Sequence, residues 1–224
     1  MPPVGVNPGA TTWGDPHFVG AEGGKYDVQG EAGKTYNILS DKNIQMNAEF
    51  RAWGSKGATV MGQMGFTLGN DKVAFDEKGN LNVNGEKQGN GSYLDGAVQK
   101  QGNQLKIDFG EYQLTIDAKG KNGMDIDYAS DNVATDGVMP HGLWGQTADG
   151  DGKARNGDKG SGAQGGGAIE GLDGEITKRG DKSTVSHYEV GGLFDTSFTN
   201  FNRFSGGFSN DPIFQTGANG ATFE

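Results

Sequence analysis

Between residues 25 and 128, apolar positions recur every second residue in short runs. The clearest run is Ile44, Met46, Ala48 and Phe50, which alternate with Gln45, Asn47, Glu49 and Arg51. A period of two puts one set on a buried face and the other on the opposite face, so the pattern predicts a half-buried β-strand. Lys34–Ser40 reads the same way, with Tyr36 and Ile38 on one face. Further strands are predicted at Thr59–Leu68, Lys72–Phe75, Leu81–Val83, Ala97–Gln99, Leu105–Phe109, Tyr112–Ile116 and Met124–Tyr128.

Turn chemistry separates these runs. Gly69-Asn70-Asp71, Glu77-Lys78-Gly79-Asn80, Asn84-Gly85, Gln101-Gly102-Asn103 and Asn122-Gly123 fall between them. Glycine and asparagine tolerate positive φ, which tight hairpins need. No helical period persists beyond two turns. Strands at intervals of about 8–12 residues predict an all-β fold, an antiparallel β-sandwich or barrel.

The texture changes twice. Residues 142–174 hold 12 glycines, with Asp149, Asp151 and Asp158 among them and few apolar residues. A loop of that length is expected to be functional or disordered. From Phe194 onward lie seven of the 12 phenylalanines, spaced by Ser, Thr, Asn and Gly. Phe194, Phe198, Phe201 and Phe204 suit a short helix laid on the sheet. The expected organisation is an extended N-terminal arm (1–11), a sandwich domain (12–205) containing a Gly-rich acidic loop (148–168), and a C-terminal arm (206–224).

Glycine makes up 42 of 224 residues, against a usual share of about 7%. Between residues 25 and 128 it sits mostly at hairpin turns, so the flag for disorder narrows to the acidic loop and the two arms. The net charge of −10 argues against a non-specific nucleic-acid binder. No window of about 18 apolar residues exists to span a membrane as a helix. The opening MPPVGVNPG has neither the basic start nor the apolar core of a secretory signal. A leader already removed, another export route and retention inside all stay open. The chain has no cysteine, which removes disulfides, thiolate metal sites and cysteine nucleophiles together.

Two motifs carry chemistry. The first is Trp13-Gly14-Asp15-Pro16-His17-Phe18. An Asp carboxyl can attack its own carbonyl carbon, and proline nitrogen is basic enough to leave. A neighbouring histidine can supply the proton. Asp15, Pro16 and His17 are therefore a candidate self-cleavage site. The alternative is a turn entering the first strand, with Pro16 fixing φ and His17 packed on Trp13. The second is His141-Gly142-Leu143-Trp144-Gly145-Gln146-Thr147, followed by Asp149-Gly150-Asp151.

Together these stretches resemble the von Willebrand factor type D domain. That family opens with G-D-P-H-[FY] and later carries a G-L-C-G-N stretch before an acidic loop. Trp144 stands where the family has cysteine, and Gln146 where it has asparagine. The chain looks closer to cysteine-free relatives, such as the C-terminal region of inter-alpha-trypsin inhibitor heavy chains. The resemblance covers roughly residues 12 to 205 and implies an antiparallel β-sandwich.

It also implies a Ca²⁺ site, with Glu22, Gln146, Asp149 and Asp151 at the matching positions. Calcium takes six to eight hard oxygen ligands, which such residues supply. The loop is no EF-hand, since Lys153 sits where a third acid belongs. Some relatives cleave at G-D-P-H and link the new carboxyl to another molecule. Here cleavage would cut off 15 residues.

No G-x-S-x-G elbow, H-E-x-x-H pair or phosphate loop occurs, so the chain reads as non-enzymatic apart from self-cleavage. The expected role is an extracellular or cell-surface structural module that is calcium-stabilised. It would self-associate through its arms into a polymer or surface layer. The competing roles are an adhesin that binds a glycan or surface protein, and a self-processing protein.

Overall fold

A computed structural model describes residues 5–130, 140–148, 150, 152–157, 169–172, 175–177 and 182–197. Among the described residues, fifteen strands run in chain order: β1 Thr11–Trp13, β2 His17–Val19, β3 Lys25–Asp27, β4 Thr35–Asp41, β5 Ile44–Trp53, β6 Ala58–Leu68, β7 Asp71–Asp76, β8 Leu81–Val83, β9 Glu86–Gln88, β10 Gly91–Tyr93, β11 Val98–Gln101, β12 Gln104–Phe109, β13 Tyr112–Ala118, β14 Met124–Ser130 and β15 Glu189–Val190. They form two antiparallel sheets. One has eight strands in the order β10-β11-β12-β13-β14-β1-β2-β3. The other has seven, in the order β15-β4-β5-β6-β7-β8-β9. The fold is an all-β sandwich, as the alternation predicts.

The turns follow their residues. Asn84 and Gly85 both take positive φ (51° and 86°) between β8 and β9, the backbone that a two-residue hairpin matching strand twist requires. Between the sheets, Leu114, Ile116, Ile126 and Tyr128 meet Met46, Phe50, Phe66 and Phe75 in one continuous core. A bulge between Glu49 and Phe50 shifts the β5–β6 register. Phe50 still reaches the core and is fully buried.

Two findings change the expected layout. The face of β5 opposite the core is covered over much of its length. Gln45 and Asn47 are only 2% and 1% exposed, because residues 191–197 lie across them. Gln45 Nε2 donates to Asp195 O at 2.8 Å, and Asn47 Nδ2 donates to the same oxygen at 2.9 Å. On neighbouring β6, a Cβ at Gly65 would stand 2.5 Å from Leu193 O, so only glycine admits the covering segment. Asp195 braces that segment by accepting from Gly191 N (2.7 Å) and from Ser197 N (2.8 Å) and Oγ (2.7 Å). Burial opposes its charge, but these bonds outweigh it and hold the carboxyl below its ordinary range.

The N-terminal stretch differs from an arm from Gly5 onward. Val6 N donates to Ser130 O and Asn7 N to Ala21 O, while Ala10 O accepts from Tyr128 N. Val6 and Ala10 are buried in the core. Burying those side chains and pairing their backbone binds the segment to the sandwich. Phe198, Phe201 and Phe204, the C-terminal arm 206–224 and most of the loop 148–168 lie outside the described residues.

Candidate functional site

The W-G-D-P-H-F motif is a tight hairpin. Trp13 pairs with His17 across Gly14, Asp15 and Pro16, and β1 lies between β14 and β2 in the middle of the larger sheet. Gly14 takes φ of +65° at the corner, and its N–H donates to Asp125 Oδ1 at 3.3 Å. Pairing of β2 with β3 brings His17 opposite Asp27.

The imidazole therefore sits between two carboxylates. Nδ1 is 2.5 Å from Asp27 Oδ1, and Nε2 is 3.1 Å from Asp15 Oδ1. The Trp13 ring stands 5.4 Å away on the same hairpin. Asp27, only 6% exposed, orients the ring. The second nitrogen then faces the side chain that would attack, so a proton can pass between His17 and the Asp15–Pro16 segment. Pro16 is buried, and its carbonyl accepts from Val28 N at 3.1 Å. The structure thus contains the packing of His17 on Trp13 and brings the three candidate self-cleavage residues together.

The second motif closes over this region from the other sheet. His141 bridges Ser40. Leu143 N donates to Asn37 O and Trp144 N to Ile38 O. Gly142 takes φ of +116°, and a Cβ there would lie 2.5 Å from Ile38 O, so the strand can approach only at glycine.

Beyond it, Trp144 is fully buried. Its indole stacks on Tyr128 at 3.9 Å and 5° and donates Nε1–H to Val19 O at 3.1 Å. Tyr26 OH donates to Leu143 O at 2.8 Å, and Ala21 N donates to Thr147 Oγ1 at 2.8 Å. Two motifs more than a hundred residues apart in sequence thus form one junction. Burial pushes the Tyr26 and Tyr128 phenols well above their ordinary range, so both stay neutral.

The four residues matched to calcium do not all behave alike. Glu22, in the turn between β2 and β3, accepts from Gly152 N at 2.9 Å, which ties that turn to the acidic loop. Past it the loop runs along β3. Arg155 N donates to Gly23 O and Gly157 N to Lys25 O, with Arg155 O so close to Gly24 that no Cβ fits. Gln146 is fully buried, and its carboxamide is engaged within the fold. Nε2 donates to Leu143 O at 3.2 Å, and Oε1 accepts from Glu170 N at 2.6 Å. Asp149 and Asp151 lie outside the described residues. Among the described residues, no three His, Asp or Glu side chains gather as a metal cluster.

Sequence reasoning gave no role to Asp27, Arg155 or Glu170. Asp27 is placed by hairpin register, and Arg155 donates to the Gln146 carbonyl at 3.1 Å. Glu170 lies 3.9 Å from His141 Nδ1, both being buried. Tyr188 OH donates to its carbonyl at 3.0 Å.

Because Trp144 joins both motifs and both sheets, Trp144→Ala should lower unfolding free energy by about 3–5 kcal/mol in urea titration, the usual cost of deleting a large buried aromatic. No protein-family model matches this chain, nor does any curated protein.

Proposed function

We propose that the chain is a type D-like β-sandwich module with a structural role outside the cell, stabilised by Ca²⁺ and able to join with further copies of itself. The observation that carries this reading is the junction, where the W-G-D-P-H-F hairpin and the H-G-L-W-G-Q-T stretch dock through Trp144, Tyr26 and Thr147.

Glu22 supports calcium, because its carboxylate meets the backbone of the acidic loop beside Asp151. The ligand set is then Glu22, Asp149 and Asp151 with loop carbonyls, a hard-oxygen set of the kind Ca²⁺ selects. Gln146 serves as a joint and leaves that set. Self-association uses the C-terminal segment, since residues 5–10 are held on their own sandwich. The edge strands β9 and β10 offer backbone for strand addition. No nucleic acid and no membrane insertion are involved.

Starting from a chelated sample, a hundredfold excess of Ca²⁺ over its dissociation constant should add about 2.7 kcal/mol. Melting would then rise by several degrees, and Glu22→Gln should abolish most of the rise. An unchanged melting temperature removes calcium from the account.

A second reading is favoured by one contact, His17 Nε2 at 3.1 Å from Asp15 Oδ1. In it, the Asp15 carboxylate attacks its own carbonyl carbon and the C–N bond to Pro16 breaks. The proline nitrogen takes a proton from His17, and water opens the resulting cyclic anhydride to a free Asp15 carboxylate. The fifteen-residue fragment would not leave, since β1 is paired on both sides. Incubation at about pH 5.5 should then give two masses under denaturing conditions and one native particle. A single intact mass leaves the hairpin as a turn only.

A further inference from the structure

Asn90-Gly91-Ser92 is the one Asn-x-Ser/Thr triplet in the 224-residue chain. With any middle residue except proline, this triplet is the acceptor motif for N-linked glycans, and it serves on exposed loops of exported proteins. Here it begins in the link between β9 and β10 and runs into β10, and all three residues are exposed. The link also joins the two sheets, since β9 is the outer strand of one and β10 the outer strand of the other.

The Asn90 side chain is held in one orientation. Gly102 N donates to its Oδ1 at 2.9 Å, and Lys100 Nζ donates to the same atom at 3.2 Å. A backbone N–H and an ammonium can only donate, so the atom they share is the carbonyl oxygen. The amide nitrogen lies on the other side of Cγ, and among the described residues it has no hydrogen-bond partner. Asn84, one turn earlier, differs: its Nδ2 is committed to Asp71 Oδ1 at 2.7 Å. A glycan is joined through the amide nitrogen, and the linked amide keeps its carbonyl, so both bonds to Asn90 Oδ1 survive attachment. Ser92, whose hydroxyl the motif requires, is exposed, and its Oγ makes no hydrogen bond among the described residues.

We propose that Asn90 is an N-glycosylation site, an inference that rests on the reading of the chain as exported. The donor is an oligosaccharide carried on a polyprenyl pyrophosphate. Asn90 Nδ2 forms a bond to the anomeric carbon of the first sugar. The bond from that carbon to the pyrophosphate oxygen breaks, and one amide hydrogen leaves as a proton. The attached glycan stands between two edge strands of three residues each. Open edges template pairing with other chains, so strand addition at β9 and β10 is confined to copies whose Asn90 is bare.

The test is intact mass, with and without peptide N-glycosidase, on the full chain from the intracellular and extracellular fractions of cells that make it. The extracellular chain should carry one oligosaccharide that the enzyme removes, and peptide mapping should place it on Asn90. Ser92→Ala, which takes away no hydrogen bond of the side chain, should abolish the modification, and Ser92→Thr should retain it. An extracellular chain of unmodified mass, or one whose oligosaccharide survives Ser92→Ala, would overturn the proposal and leave export standing. A chain found only inside the cells would remove the export reading and this proposal together.

Discussion

Trp144 is the side chain around which the two halves of this chain are arranged. It reaches from the segment that hangs on β4, lies flat on Tyr128 of β14 and donates to Val19 at the end of β2. One residue therefore links both sheets, its main-chain N–H held by β4 of one and its indole packed on β14 and bonded to β2 of the other. A chain without cysteine has no covalent staple, so this work falls to packing and to hydrogen bonds at its edge. An indole suits it, because it supplies a large apolar face and a single polar handle.

Glycine lets the rest approach. Gly142 brings the second motif against the β4 backbone, and Gly24 lets the Arg155 carbonyl cross β3. Gly65 admits the 191–197 segment on the outer face of the smaller sheet. In each case the absent Cβ is replaced by another segment of the same chain. Hairpin glycines shape the sheets, and these three allow coverings to be laid over them. Part of the glycine that first reads as a warning of disorder thus serves close approach of backbones.

The long strands were legible because period-two alternation is imposed by a pleated sheet with one core face. Thr59–Leu68 and Tyr112–Ile116 agree with β6 and β13 to within two residues. The strands β1, β2, β3, β9 and β10 were not identified as such. Each has three residues without the apolar–polar–apolar alternation that marks Leu81–Val83, and each exists through its neighbours. The burial of Gln45 and Asn47 was illegible for a related reason, since the cover comes from a segment about 150 residues away. In the candidate site, the adjacency of Asp15 and His17 could be read from spacing. The partnership with Asp27 could not, because it depends on β2–β3 register. Gln146 shows the converse case, a position matched to a metal whose carboxamide the fold uses to tie Leu143 to Glu170.

If the junction is what joins the two sheets and the two motifs, it cannot open while the sheets persist. Native-state hydrogen exchange reads this directly through two amides, Ala21 N–H on Thr147 Oγ1 and Trp144 N–H on Ile38 O. Both should exchange only by global unfolding, with the same free energy as amides in the centres of β5 and β6. Exchange of Ala21 and Trp144 through a low-energy local opening, with β5 and β6 still protected, would contradict it.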